Sequence, residues 1–154
     1  AANLTETRLS HLKPEDQEQV ISLLTALTAK TLDNAGFARF GELTSKADSL
    51  DPLPSEPLPP EDSPEVELFQ RVWNEASELR KSGQLLELGR RIGCEVVAIH
   101  GDYDPHPYQG VEEPLSRVLK QFRFVLLNRC GHEPWLERQA KYQFYGVLKR
   151  ETSS

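Results

Sequence analysis

"EVVAIHGDYDPHP", residues 95–107, carries the reading of the fold: a short β-branched apolar run breaks off into two acids, two histidines and two prolines. Val96–Ile99 shows no helical period, and runs of this kind suit strands buried on both faces of a parallel sheet. A second run of the same type, "FRFVLLN", stands at 122–128, and "GVEEPLSRVLKQ" between them can supply a helix. Strand, helix, strand makes a βαβ unit. After it, "PWLERQAKYQFYGVLKR" (134–150) sets Leu136, Ala140, Phe144 and Val147 on one face of a closing helix that would cover the sheet. The expected class is α/β, with residues 94–154 forming a β-α-β-α unit on two parallel strands.

Residues 1–93 read as helix. In "KPEDQEQVISLLTALTAK" Pro14 takes a first-turn place and Glu15 and Asp16 lie near the positive helix end, while Val20, Ile21, Leu24 and Leu27 share a face. A shorter helix is expected over Ala35–Ala47. "DPLPSEPLPPEDSPEVE" then holds six of the eleven prolines and six acids with no base, so residues 51–64 form an extended, solvated connector or a strap along a surface. Ser63-Pro64-Glu65 starts another helix, in which Val66, Phe69, Trp73 and Ala76 follow at helical spacing, with Phe69 and Trp73 expected in the core, until Ser82-Gly83 ends it. "QLLELGRRI" is a last helix before the first strand. Nothing in residues 1–93 reads as a strand, so a sheet of two parallel strands should need further strands from elsewhere.

Composition narrows the function classes. The chain has 154 residues and a net charge of −6, which gives nucleic acid little electrostatic support as a partner. Pro114–Arg150 carries eight basic and two acidic residues, read as solvated helix faces. No apolar run approaches the ~18 residues of a membrane span, so no membrane partner is expected. Cys94 and Cys130 have no metal-type spacing and suit free thiols in a reducing compartment, which places the chain in the cytoplasm. "AANLTETRLS" has neither an initiator Met nor a signal pattern, and is expected to be a cut start.

In open α/β sheets the site lies beyond the carboxyl ends of the strands. His100, Asp102, Asp104 and His106 follow the first strand and His132 follows the second. An Asp held against a His sets its tautomer and stabilises the imidazolium formed when it takes a proton from a nucleophile. Asp102 reads as a turn acid that could stand in for Asp104, while His100 and His106 read as structural or loop residues. The alternation His100-x-Asp102-x-Asp104-x-His106 is also a dense set of metal donors. Pro105 and Pro107 constrain that turn, however, and a metal there leaves His132 without a role, so no metal is expected.

"AIHGDYDP" and "CGHEPWLE" resemble the second half of the α/β-hydrolase family. The first is similar to the G-x-x-D turn that carries the family's acid, which puts Gly101 and Asp104 in those places. The second is similar to its G-H-x-P-x-x-E turn, with His132 as general base and Glu137 as the matching acid. The resemblance implies a partial α/β-hydrolase fold in which residues 1–93 are a helical cap. It implies a Ser-His-Asp hydrolase of esters, amides or related bonds in small-molecule substrates, without a cofactor, whose catalytic residues here are Asp104 and His132. The family's order of nucleophile, acid, base agrees with Asp104 preceding His132. The nucleophile elbow G-x-S-x-G does not occur in the chain, and neither does the oxyanion turn. The isolated chain, lacking the nucleophile, is therefore expected to be inactive, its sheet completed by an N-terminal half or by self-association, with Cys130 weighed as a substitute nucleophile near His132. The alternative is a non-catalytic binding or self-assembly module derived from that fold.

Overall fold

The computed structural model describes residues 3–54 and 65–153. Most of the connector expected at 51–64, and Ser63 and Pro64 of the helix start, lie outside the described residues. The chain forms two compact units, one from Ala2–Ala47 with Pro54–Leu79, the other from Asp48–Leu53 with the chain from Arg80 onward.

The first unit is helical. α1 (Leu4–Ser10) is capped by the Asn3 side chain, which accepts the Thr5 N–H, and α2 (Pro14–Thr28) opens with Pro14 in its first turn. α3 (Asn34–Asp48) and α4 (Val66–Lys81) follow, their last residues passing into the other unit. The core gathers Leu12, Val20, Leu43 and Ala47, with Leu9, Leu23 and Phe40 packed against it. Ile21 does not share the face of Val20 as the sequence suggested: it is 52 % exposed. One residue on from Val20 is a turn of about 100°, and Leu23, three residues on, takes the inward place. Phe37 packs on Phe69, which stacks on Trp73, but Trp73 is half exposed, at the edge of the cluster and not in the core.

The second unit holds the strands. Gly83, at φ 75, supplies the left-handed residue that turns the chain into α5 (Gln84–Glu87) and a 3-10 turn at Leu88–Arg91. β1 (Val96–Gly101), α6 (Gln109–Val118) and β2 (Phe122–Leu127) are the βαβ unit, with β1 and β2 parallel in register from Val96↔Phe122 to Gly101↔Leu127. A 3-10 turn at Pro134–Leu136 precedes α7 (Ala140–Thr152). Leu127, Cys130, Ala140 and Val147 are buried together, with Ile99, Val125 and Phe144 against them. The mixed helix-and-strand class is as expected.

Two further details differ from the sequence reading. The closing helix begins at Ala140 and not near Pro134, because the chain before it is held elsewhere: Pro52 bridges Glu137 in antiparallel fashion, the Leu53 N–H donates to Leu136 O, and the Arg138 N–H donates to Asp51 O. Backbone groups committed to that strap are lost to a helical ladder. The strands, too, are less enclosed than their composition suggests, since Val96–Ile99 are half-buried and Leu126 is exposed. Each strand has one edge with no strand partner among the described residues.

Candidate functional site

Parallel pairing sends the loops after β1 and β2 off the same end of the sheet, and the two loops are knitted together there. The Asp102 N–H donates to Leu127 O and the Tyr103 N–H to Cys130 O, while an Asp102 carboxylate oxygen accepts the Cys130 N–H at 3.1 Å. Asp102 is therefore a turn acid. Arg129 sits in the left-handed region at φ 53, turning the second loop back toward the first. Gly101 is required by the close crossing: a Cβ there would lie 2.1 Å from Cys130 O.

Asp104 lies at the centre of what this crossing builds. Its side chain is only 4 % exposed, and both oxygens are engaged. Oδ2 accepts His132 Nδ1–H at 2.7 Å; Oδ1 accepts the His106 backbone N–H at 2.9 Å and His106 Nδ1–H at 2.7 Å. A carboxylate accepts only, so both rings carry their proton on Nδ1 in this arrangement. Burial opposes the charge on Asp104, but the hydrogen bonds from His106 and His132 outweigh it and hold the carboxyl well below the usual carboxylate range. The hydrogen bond to Asp104, against a smaller opposing effect of burial, in turn raises the pKa of His132 above the ordinary histidine value.

His132 is half exposed, and no hydrogen bond to its Nε2 is formed among the described residues. A ring fixed at Nδ1 by a buried carboxylate and open at Nε2 can receive and return a proton at Nε2. Its backbone is fixed as well: the His132 N–H donates to Asp48 O at 2.8 Å. Glu137, 2 % exposed, anchors the same strap, accepting the N–H groups of Leu50 at 2.8 Å, Asp51 at 2.8 Å and Gly131 at 3.1 Å. At Gly131 a Cβ would lie 2.3 Å from Asp48 O, so the strap and the His132 turn meet only through glycine.

The remaining sequence candidates take supporting places. His100 is buried, donates from Nδ1 to Gly101 O at 2.8 Å, and turns Nε2 toward Asp104 Oδ2 at 3.5 Å. Cys130 is fully buried, its thiol directed to Gly131 O and pushed up to about 12 by burial and by the charges of Glu137, Asp102 and Asp104. A thiol so protonated is no nucleophile at neutral pH.

Sequence reasoning missed two parts of this site. His106, read as a loop residue, binds the free oxygen of Asp104; the Asp-x-His spacing at a proline turn was the available signal. The strap at Asp48–Leu53 left no local signal, since it acts through backbone atoms. No protein-family model, curated protein or solved structure matches the chain.

Proposed function

We propose that Asp104 and His132 are the acid and base of a Ser-His-Asp hydrolase of the α/β-hydrolase type, acting on an ester, amide or related bond of a small molecule. The observation that carries this reading is the 2.7 Å bond from a half-exposed His132 to a buried Asp104, at the shared carboxyl end of two parallel strands. A serine on a further segment attacks the carbonyl carbon as His132 Nε2 takes its proton. Asp104, staying ionised, stabilises the imidazolium, and Nε2 then protonates the leaving group. The partner is the segment that carries the nucleophile and continues the sheet.

The test uses protein expressed from the complete coding sequence, treated with a fluorophosphonate probe and assayed on p-nitrophenyl esters. Labelling and turnover that fall about 10³-fold or more in His132→Ala support the reading, in line with the loss of a triad member. Turnover that survives that change, or no labelling and no turnover, refutes it. The open strand edges favour a second reading, a non-catalytic module that self-associates through its sheet. A concentration-dependent dimer in light scattering, with no esterase activity, is its signature.

A further inference from the structure

The same corner of the sheet satisfies the donor requirements of a different chemistry. Asp104, His106 and His132 each offer one donor atom, and these lie within 4.8 Å of one another. Two imidazole Nδ1 atoms approach the two oxygens of one carboxylate, each at 2.7 Å, and the ring centroids are 5.0 Å apart. The alternation read from the sequence is not the set assembled. Asp102 is spent on the Cys130 N–H, His100 turns Nδ1 to Gly101 O, and His132 comes in from the other loop.

The exposures fit an ion arriving from solvent. The His106 and His132 side chains are 37 % and 52 % exposed, with the buried carboxylate behind them. Imidazole and carboxylate together suit zinc-type cations, which accept three protein ligands in a tetrahedral arrangement and keep the fourth position open. Tetrahedral metal bonds of about 2.0–2.2 Å set donors roughly 3.3–3.6 Å apart, so the 2.7 Å contact to the carboxylate oxygen that binds must open while the other donor separations, up to 4.8 Å, close, both by side-chain rotation.

We propose that Asp104, His106 and His132 form a binding site for a divalent transition-metal ion of the zinc type, occupied in competition with any use of His132 as a base. On binding, each ring moves its proton through solvent from the coordinating nitrogen to the other, a protonated ring releases its extra proton to water, and the ion keeps its charge. Metal and proton transfer exclude each other because both need the same carboxylate and the same imidazole.

The experiment titrates Zn2+ into the full chain against a chromophoric chelator, in a Cys94→Ser background that removes the exposed thiol. The ring nitrogens of the four histidines are followed by NMR in parallel. The expected result is one ion per chain, coordination shifts at His106 and His132 and none at His11, and binding weakened more than about tenfold in His106→Ala, at least the effect of losing an outer partner. The absence of one-to-one binding, or His106 nitrogens unmoved at saturation, overturns the proposal. The NMR readout on intact histidines decides the matter if His106→Ala fails to fold. A chain without esterase activity leaves this titration unaffected, and a failed titration leaves the fluorophosphonate result unaffected.

Discussion

Replacing Glu137 with Ala removes the acceptor of three backbone N–H groups, those of Leu50, Asp51 and Gly131. Gly131 is buried, so its N–H loses its partner with no water in exchange, a cost of about 2 kcal/mol. Leu50 and Asp51 are partly exposed and regain some hydration, adding about 0.5–1 kcal/mol each. A loss of roughly 3–4 kcal/mol follows, a large share of the about 5–15 kcal/mol that holds a domain. Glu137→Gln keeps one carbonyl oxygen for Leu50 and Gly131 but turns an amide donor toward the Asp51 N–H, and costs less, about 1–2 kcal/mol. The two tryptophans fall one in each unit, so a Trp73→Phe background leaves Trp135 as the fluorescent reporter of the strand-bearing unit during urea unfolding. The strap also carries Asp48 O, the acceptor of the His132 N–H, so Glu137→Ala should broaden or shift the His132 ring signals before the unit unfolds. A stability within about 1 kcal/mol of the background, or equal costs for Ala and Gln, would falsify the assignment of Glu137 as the anchor of the strap.

Gly101→Ala should destabilise the strand-bearing unit by more than about 3 kcal/mol, because its Cβ meets backbone and not a movable side chain; a melting temperature within a few degrees of the parent would count against the crossing as drawn. The Asp104 carboxyl titrates lower in the folded chain than in the unfolded one, so the stability it confers is present above the unfolded value of about 4 and is lost as pH falls from there through the lower folded value; the stability gap between the parent and Asp104→Asn should therefore be constant above about pH 5 and narrow progressively below about pH 4. His132 runs the other way, its contribution full below its unfolded value of about 6.5 and lost as pH rises through the higher folded value, which NMR titration of the ring reads directly. Of the two thiols, exposed Cys94 should react with a disulfide reagent at neutral pH within minutes while Cys130 waits for unfolding; two equally fast thiols would contradict the burial of Cys130.

Local chemistry determined much of this molecule before any tertiary contact formed. Val96–Ile99 and Phe122–Leu127 are strands because β-branched and aromatic runs of this length favour the pleated backbone, and Pro14 starts α2 because its fixed φ fits a first helical turn. Their order, with a helix between, made them parallel and so brought Asp104 and His132 to one end of the sheet. The meeting of those two residues was legible for that reason. What the sequence left undecided depends on atoms that look alike at every position. Asp48–Leu53 holds the His132 turn through carbonyl and N–H groups, which every residue but proline owns, and Glu137 binds three N–H groups that no side-chain pattern announces. Ile21 and Leu23 are both apolar, and only the packing of α2 selects which faces the core. The second oxygen of Asp104 belongs to His106 through the local turn at Pro105, two residues on, whereas the first belongs to His132, 28 positions along the chain, which only the pairing of the two strands brings within reach.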